Sequence, residues 1–337
     1  MIVDVKPIVI VFIVLGVILG IIILLRIKFM MWKKTASKVM NDGEVMETVK
    51  GKIHYKLTGK GPVLFFMHGG PGGIDQDIFL DGMIEEGYSI LSVSRPGYLR
   101  TPFFPLTYEE QVDQYVELLD KLKIEKVVPM GYSAGGPLAL YFSNKFPERI
   151  YALIMEAGVS TEYNVTSEQL DSFWMKVLQS KGIGDFLSWI SVIMVNIAFK
   201  VTFKSIISLE TSLDKEGIKK FVDLVSHDKE RREWIKNLMD TTGPMSLRKL
   251  GLNHDIELLV SLEKIPVDKI NAKSLLVYSR DDNDVKWLNA EYLVNNLKNF
   301  ELLETHGGHF MWVGEDMEKI KNKRIEFLKS INFELKA

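Results

Sequence analysis

The chain has 337 residues, enough for one large α/β domain with an inserted subdomain or for two modest domains. Its 42 Lys plus Arg nearly balance 44 Asp plus Glu, and no long basic stripe occurs outside the N-terminal flank, so nucleic acid is not expected as a partner. The absence of cysteine excludes disulfides, thiolate nucleophiles and cysteine-based metal sites.

Residues 1–6 form a short flank ahead of Pro7 to Leu25, an uncharged, almost wholly apolar run interrupted only by Gly16 and Gly20. As a helix rising about 1.5 Å per residue, this run reaches roughly 28 Å, close to the thickness of a bilayer's hydrocarbon core. Arg26, Lys28, Lys33, Lys34 and Lys38 follow, with Trp32 where an interfacial aromatic would sit. The alternative is a cleaved signal peptide, whose apolar region spans about 7 to 15 residues and ends in a small-x-small site. The run is longer than that and Gly16 and Gly20 do not resemble such a site, so 7–25 is read as a single-pass membrane anchor. The basic flank places the domain that follows on the cytoplasmic side.

Residues 26–44 read as a charged linker ending in the turn Asn41-Asp42-Gly43. Ile53, Tyr55 and Leu57 alternate with His54, Lys56 and Thr58, the period of a half-exposed strand. After the turn Gly59 to Pro62, Val63 to Met67 is a continuous apolar run suited to a buried strand. Tyr88–Val93, Lys126–Met130, Tyr151–Met155 and Ser274–Tyr278 read the same way. Thr107 and Glu110 form a capping box ahead of Val112, Tyr115, Val116, Leu119 and Leu122, which share one helix face. Strands alternating with helices predict a mostly parallel sheet covered on both sides. The alternation lapses between the strand near Leu153 and the one at Ser274. The predicted organisation is therefore an α/β core over 45–158 and 272–337 with a helical cap inserted over 159–271.

Three segments carry chemistry. Gly131-Tyr132-Ser133-Ala134-Gly135 matches G-x-S-x-G, with an apolar strand before it and Leu138 to Tyr141 opening a helix after it. A serine on such a strand-to-helix turn is pushed out of the backbone, and the helix N-terminus favours negative charge. The other reading of this segment is a glycine-rich loop that holds a phosphate. His68-Gly69-Gly70-Pro71-Gly72-Gly73 follows a buried strand and can bring a backbone N–H to a reacting carbonyl, which predicts an oxyanion hole from the N–H groups of Gly70 and Ala134. His68 itself is read as a structural residue that shapes the loop. Ser279-Arg280-Asp281-Asp282-Asn283-Asp284 ends a strand and could be a solvated turn or a cation site, although the spacing fails for an EF-hand. Downstream, His306-Gly307-Gly308-His309 follows the apolar strand Phe300 to Leu303. A strand-end Asp and a loop His, both after an elbow Ser, is the chain order of an acyl-transfer triad.

With these motifs in place, the chain from about residue 50 onward resembles the α/β-hydrolase fold superfamily. HGGPGG at 68–73 resembles the oxyanion loop of prolyl aminopeptidases. Ser94-Arg95-Pro96-Gly97-Tyr98 and GYSAGGPLAL at 131–140 are closer to general hydrolases and esterases. The resemblance implies Ser133 as nucleophile, Asp282 as acid, counted three residues beyond Ser279 where the family has glycine, and His309 from the family's Gly-His. Neither a metal nor an organic cofactor is implied. Pro129 departs from the family's elbow strand and is expected near the strand's end.

The leading expectation is a membrane-anchored serine hydrolase acting on acyl esters. A peptidase releasing an N-terminal residue is the alternative, supported mainly by HGGPGG, and an acyltransferase or a non-hydrolytic binding protein on the same fold comes third. The partners expected are a small ester or short peptide and, through the N-terminal helix, a membrane. Phe186 to Phe199, with Trp189, Ile190, Ile193 and Ile197 at helical spacing, is read as packing over the pocket, or else as an acyl-chain groove or membrane-facing surface. Asp284 is expected to be dispensable. Asn164-Val165-Thr166 fits a glycosylation sequon.

Overall fold

The computed structural model of the chain describes residues 7–163, 180 and 182–333. The sequon at Asn164 lies outside the described residues. An eight-stranded sheet organises the rest: β1 (Glu44–Thr48), β2 (Gly51–Gly59), β3 (Val63–Met67), β4 (Ser89–Ser94), β5 (Val127–Tyr132), β6 (Ala152–Glu156), β7 (Lys273–Ser279) and β8 (Phe300–Thr305). Their spatial order is β1-β2-β4-β3-β5-β6-β7-β8, with β2 antiparallel to both of its neighbours and all pairs from β4 to β8 parallel.

The continuous apolar runs are buried because both faces of the sheet are covered. On β3, Phe65 and Met67 join one core, whereas Leu64 and Phe66 point to the other, following the two-residue period of a strand. The first core receives α2 (Tyr108–Lys121) and α3 (Gly136–Lys145). The capping box of α2 forms in full: the Glu110 N–H donates to Thr107 Oγ1 at 3.2 Å, and the Thr107 N–H donates to Glu110 Oε2 at 3.1 Å.

Two strand expectations need correction. β2 does not simply alternate, because His54 is fully buried while Leu57 is exposed. The His54 N–H donates to Thr101 Oγ1 at 2.9 Å and its Nε2 meets the Asp42 carbonyl at 2.7 Å, so the polar face of this strand is covered by loops rather than by water. Pro129 lies inside β5, paired with Phe65 of β3, and not at the strand's end. Its missing N–H is tolerated because the other ladder bulges there. Val127 bridges Ile150 and Met130 pairs with Ile154, so three steps along β5 face four along its partner.

Between β6 and β7 the described chain is helical: α4 (Ile183–Ile197), α5 (Phe199–Glu210), α6 (Lys215–His227), α7 (Lys229–Asp240) and α8 (Lys249–Val260). Val195, Phe203, Ile207, Phe221, Val222, Val225 and Ile235 give this insertion an apolar core of its own, closed by Val313 of the main domain. α9 (Leu288–Asn296) and α10 (Met317–Lys329) complete the main domain.

The N-terminal run forms α1 (Pro7–Ala36), long and apolar enough by length and composition to cross a bilayer. The segment 26–44 is not a loose linker at its start. It continues α1 for nearly three turns and then makes a short 3₁₀ helix, Ser37–Asn41, before β1.

Candidate active site

β5 delivers Ser133 at its C-terminal end, and the backbone there takes the left-handed conformation, with Ser133 at φ +48°. That region disfavours a side chain and is held only where the surroundings dictate it. Here the Ser133 N–H donates to the Ala157 carbonyl at 3.1 Å, and the Val159 N–H donates to the Ser133 carbonyl at 3.0 Å, pinning the turn to the strand beside it. Glycine is required at 135, where a Cβ would lie 2.0 Å from the Met67 carbonyl oxygen.

The loop after β3 passes directly against this elbow. A Cβ on Gly69 would stand 3.2 Å from Ser133 Cβ, and one on Gly70 would stand 3.8 Å from Ala134 Cβ. Gly70 and Ala134 are thus neighbours beside Ser133. The loop is clamped by groups to which sequence reasoning assigned no role. Gln76 accepts the Gly69 N–H at 2.7 Å and donates to the Pro71 carbonyl at 3.1 Å. Arg95, buried, donates to the carbonyls of His68 and Gly69 and forms a bidentate pair with Asp255 of α8 at 3.0 and 2.5 Å. Arg248, also buried, donates to the Gly72 carbonyl at 2.5 Å and pairs with Asp75 at 2.6 Å. Arg95 alone carried a signal, as part of the Ser94–Tyr98 stretch.

His68 is structural, as expected. It is fully buried, its Nδ1 meets the Gly69 carbonyl at 2.6 Å, and its Nε2 accepts the Arg95 N–H at 3.3 Å. Burial, with Arg95 adding to it, holds its pKa well below the ordinary histidine value, so the ring is neutral.

Asp282 and His309 meet at the C-terminal ends of β7 and β8. Asp282 Oδ2 lies 2.9 Å from His309 Nδ1, and its Oδ1 accepts the N–H groups of Asp284 and Val285 at 2.9 and 2.8 Å. Both side chains are buried. Tyr132, next to Ser133, stacks on the His309 ring at 5.5 Å and packs edge-on against Trp312. Trp312 is in turn fixed by its Nε1 donating to Glu156 at 2.7 Å. No hydrogen bond joins Ser133 to His309; the His309 Nε2 lies 3.6 Å from Asp284 Oδ2. Asp284, expected to be a bystander, therefore faces the reactive nitrogen and also accepts a hydrogen bond from the Tyr163 hydroxyl. Half-buried Asp281 pairs instead with the exposed His306 at 2.8 Å.

Burial alone would lower the pKa of His309, but Asp282, Asp284 and Glu210 together push it up to about 10. Glu210, at the end of α5, is itself pushed up to about 7, by burial first and by the charges of Asp284 and Asp282, against the opposing pull of His309. Asp282 uses its oxygens on His309 and on backbone donors, and among the described residues no group of three or more side chains is arranged to hold a metal ion.

A family model described as alpha/beta hydrolase fold matches residues 62–192. The uncharacterized hydrolase YcgS of Bacillus subtilis is 26% identical over 83% of this chain and 96% of its own length. The proline iminopeptidase of Saccharolobus solfataricus is 25% identical over 82% of this chain and 88% of its own length. An alpha/beta hydrolase fold protein from Nakamurella multipartita superposes with a TM-score of 0.75 at 25% identity, covering 85% of this chain and 98% of that one. Together with the sheet and the elbow described above, these likenesses make this chain a hydrolase of the α/β-hydrolase fold.

Proposed function

We propose that the protein is a membrane-anchored serine hydrolase that cleaves acyl esters through Ser133, His309 and Asp282. The observation that carries this reading is the buried Asp282–His309 contact of 2.9 Å beside a serine held at positive φ. Ser133 Oγ attacks the ester carbonyl as its proton passes to His309 Nε2. The N–H groups of Gly70 and Ala134 receive the oxyanion. Collapse of the tetrahedral intermediate breaks the C–O bond, and His309 returns the proton to the departing alcohol. Water, deprotonated by His309, then adds to the acyl-Ser133 carbonyl, and the carboxylic acid leaves as Ser133 regains its proton. Asp282 fixes the imidazole tautomer and stabilises its charged form. The insertion between β6 and β7, read as a cap over 159–271, selects the acyl portion, and α1 tethers the enzyme to a bilayer.

A second reading, release of an N-terminal residue from a peptide, is favoured by a specific observation. Asp284 and Glu210 add two carboxylates next to His309, and a substrate ammonium could pair with them. The 25% identical relative is named a proline iminopeptidase. The test has two arms. A fluorophosphonate probe should label the intact chain and not Ser133→Ala. Among substrates, kcat/KM for p-nitrophenyl butyrate, divided by the uncatalysed hydrolysis rate, should exceed the same ratio for proline p-nitroanilide. Labelling with the order of substrates reversed would establish the peptidase, and labelling that persists in Ser133→Ala would remove Ser133 from the mechanism.

A further inference from the structure

The last turns of α1 are bound to the insertion. Phe29 lies 6.0 Å from the ring of Phe186 and 5.5 Å from that of Trp189. Lys33 Nζ pairs with Asp185 at 2.5 Å, and Asp185, buried, also accepts the Ser246 N–H at 2.6 Å. Burial would raise the pKa of Asp185, but Lys33 and the Ser246 N–H hold it below the usual carboxylate value, so the pair stays charged. The point where α1 leaves its apolar stretch is therefore fixed against α4.

From that contact an uncovered apolar stripe runs along α4. Trp189 and Val195 face inward, whereas Ile183, Phe186, Met194 and Ile197 are exposed at helical spacing, with half-buried Ile190 between them. Ile197 is 75% exposed and Val201, in the first turn of α5, is 67% exposed. A stripe of this kind on a protein free in water marks a contact surface. Its neighbour is α1, whose Val9–Leu25 side chains, glycines aside, are all exposed apolar groups. Exposed Arg26, Lys28, Lys34 and Lys38 surround the junction and complement anionic headgroups.

We infer that the exposed face of α4, with the start of α5, is seated in the interfacial layer of the bilayer that α1 crosses. This seating requires α1 to span the membrane, as read above. Both helices then bury apolar surface in one lipid phase, and the insertion is held on the membrane surface. Phe186 to Phe199 divides between the two expected roles: Trp189 packs inward and the opposite face meets lipid. An ester dissolved in the membrane would reach the insertion without crossing bulk water.

Because the chain has no cysteine, single-cysteine variants each report one position. Full-length Met194→Cys, Ile197→Cys, Leu19→Cys and Val49→Cys are labelled with an NBD fluorophore in vesicles of phosphatidylcholine and phosphatidylglycerol. Nitroxide lipids then quench at shallow or deep positions. Labels at 194 and 197 should be quenched about twofold or more by the shallow nitroxide, the label at 19 by the deep one, and the label at 49 by neither. If 19 is quenched while 194 and 197 behave like 49, α1 spans the bilayer and the inference is wrong. Blue-shifted but unquenched emission at 194 and 197 would mean that protein, such as a second copy, covers the face, and would also overturn it. Failure of quenching at 19 would remove the membrane reading itself, and this inference with it.

Discussion

Asp281, Asp282 and Asp284 share one turn and one chemistry, yet their surroundings separate them. Half-buried Asp281 pairs with exposed His306 away from the His309 ring, Asp282 is buried behind His309 Nδ1, and Asp284 faces Nε2. Asp282→Asn is expected to lower kcat by about 10⁴ by favouring the wrong tautomer, while Asp281→Asn leaves it nearly unchanged; steady-state kinetics on an activated ester separates them. Asp284→Asn should have a different signature. His309 must be unprotonated to act as a base, and the surrounding carboxylates hold its proton up to about pH 10, so kcat/KM rises with pH through an alkaline limb. Removing the Asp284 charge should move that limb acid-ward by about one pH unit and raise activity at neutral pH. A limb that stays in place would show that Asp284 does not act on His309. Glu210 allows a stability test. Its folded pKa of about 7 lies above the ordinary 4.5, so the fold holds that proton more tightly than the unfolded chain does. The stability this contributes is present below about pH 4.5 and lost as pH rises to 7. Glu210→Gln should therefore raise Tm relative to the parent at pH 8, with little difference at pH 5. Ser133 and the Asp282–His309 pair were legible because the elbow and the post-strand loops have sequence signatures. Asp284 and Glu210 were not, because their influence depends on how the end of α5 packs, which no local pattern encodes.

At the scale of elements, each strand read from an apolar run is present, because a parallel sheet covered on both faces demands such runs. The errors fell where a neighbour changed what a position needs. Pro129 is accepted in a central strand because the adjacent ladder bulges, and His54 is buried because the 95–101 segment folds over it. The clamp on the 68–73 loop was equally hidden. Asp255 belongs to α8 and Arg95 follows β4, 160 positions away in the chain, so no spacing rule connects the two. Their pairing has a measurable consequence. Asp255→Asn leaves the Arg95 guanidinium buried without its counter-charge, which should cost roughly 3 to 5 kcal/mol in a urea melt. Above that loss, in the fraction that remains folded, kcat should fall more than KM rises, because the loop presenting the Gly70 N–H loses its anchor. An unchanged kcat would make the clamp a matter of stability alone.

For the whole molecule, the break in βα alternation suggested an insertion, and the described chain between β6 and β7 is helical, but how that segment is attached was out of reach from sequence. Arg248 binds it to the 68–73 loop directly and Asp255 does so through Arg95, while Lys33 with Phe29 binds α1 to it, so α1, the insertion and the candidate active site form one mechanical series. The sidedness of that series follows from charge. Asp4 and Lys6 precede the apolar run, whereas Arg26, Lys28, Lys33, Lys34 and Lys38 follow it. If α1 spans a bilayer as proposed, the flank richer in Lys and Arg is expected in the cytoplasm, and the hydrolase domain with it. Protease added to intact cells should leave the domain whole, and the same protease added after permeabilisation should digest it. Digestion in intact cells would reverse the orientation, and the natural substrate would then have to be sought among esters outside the cytoplasm.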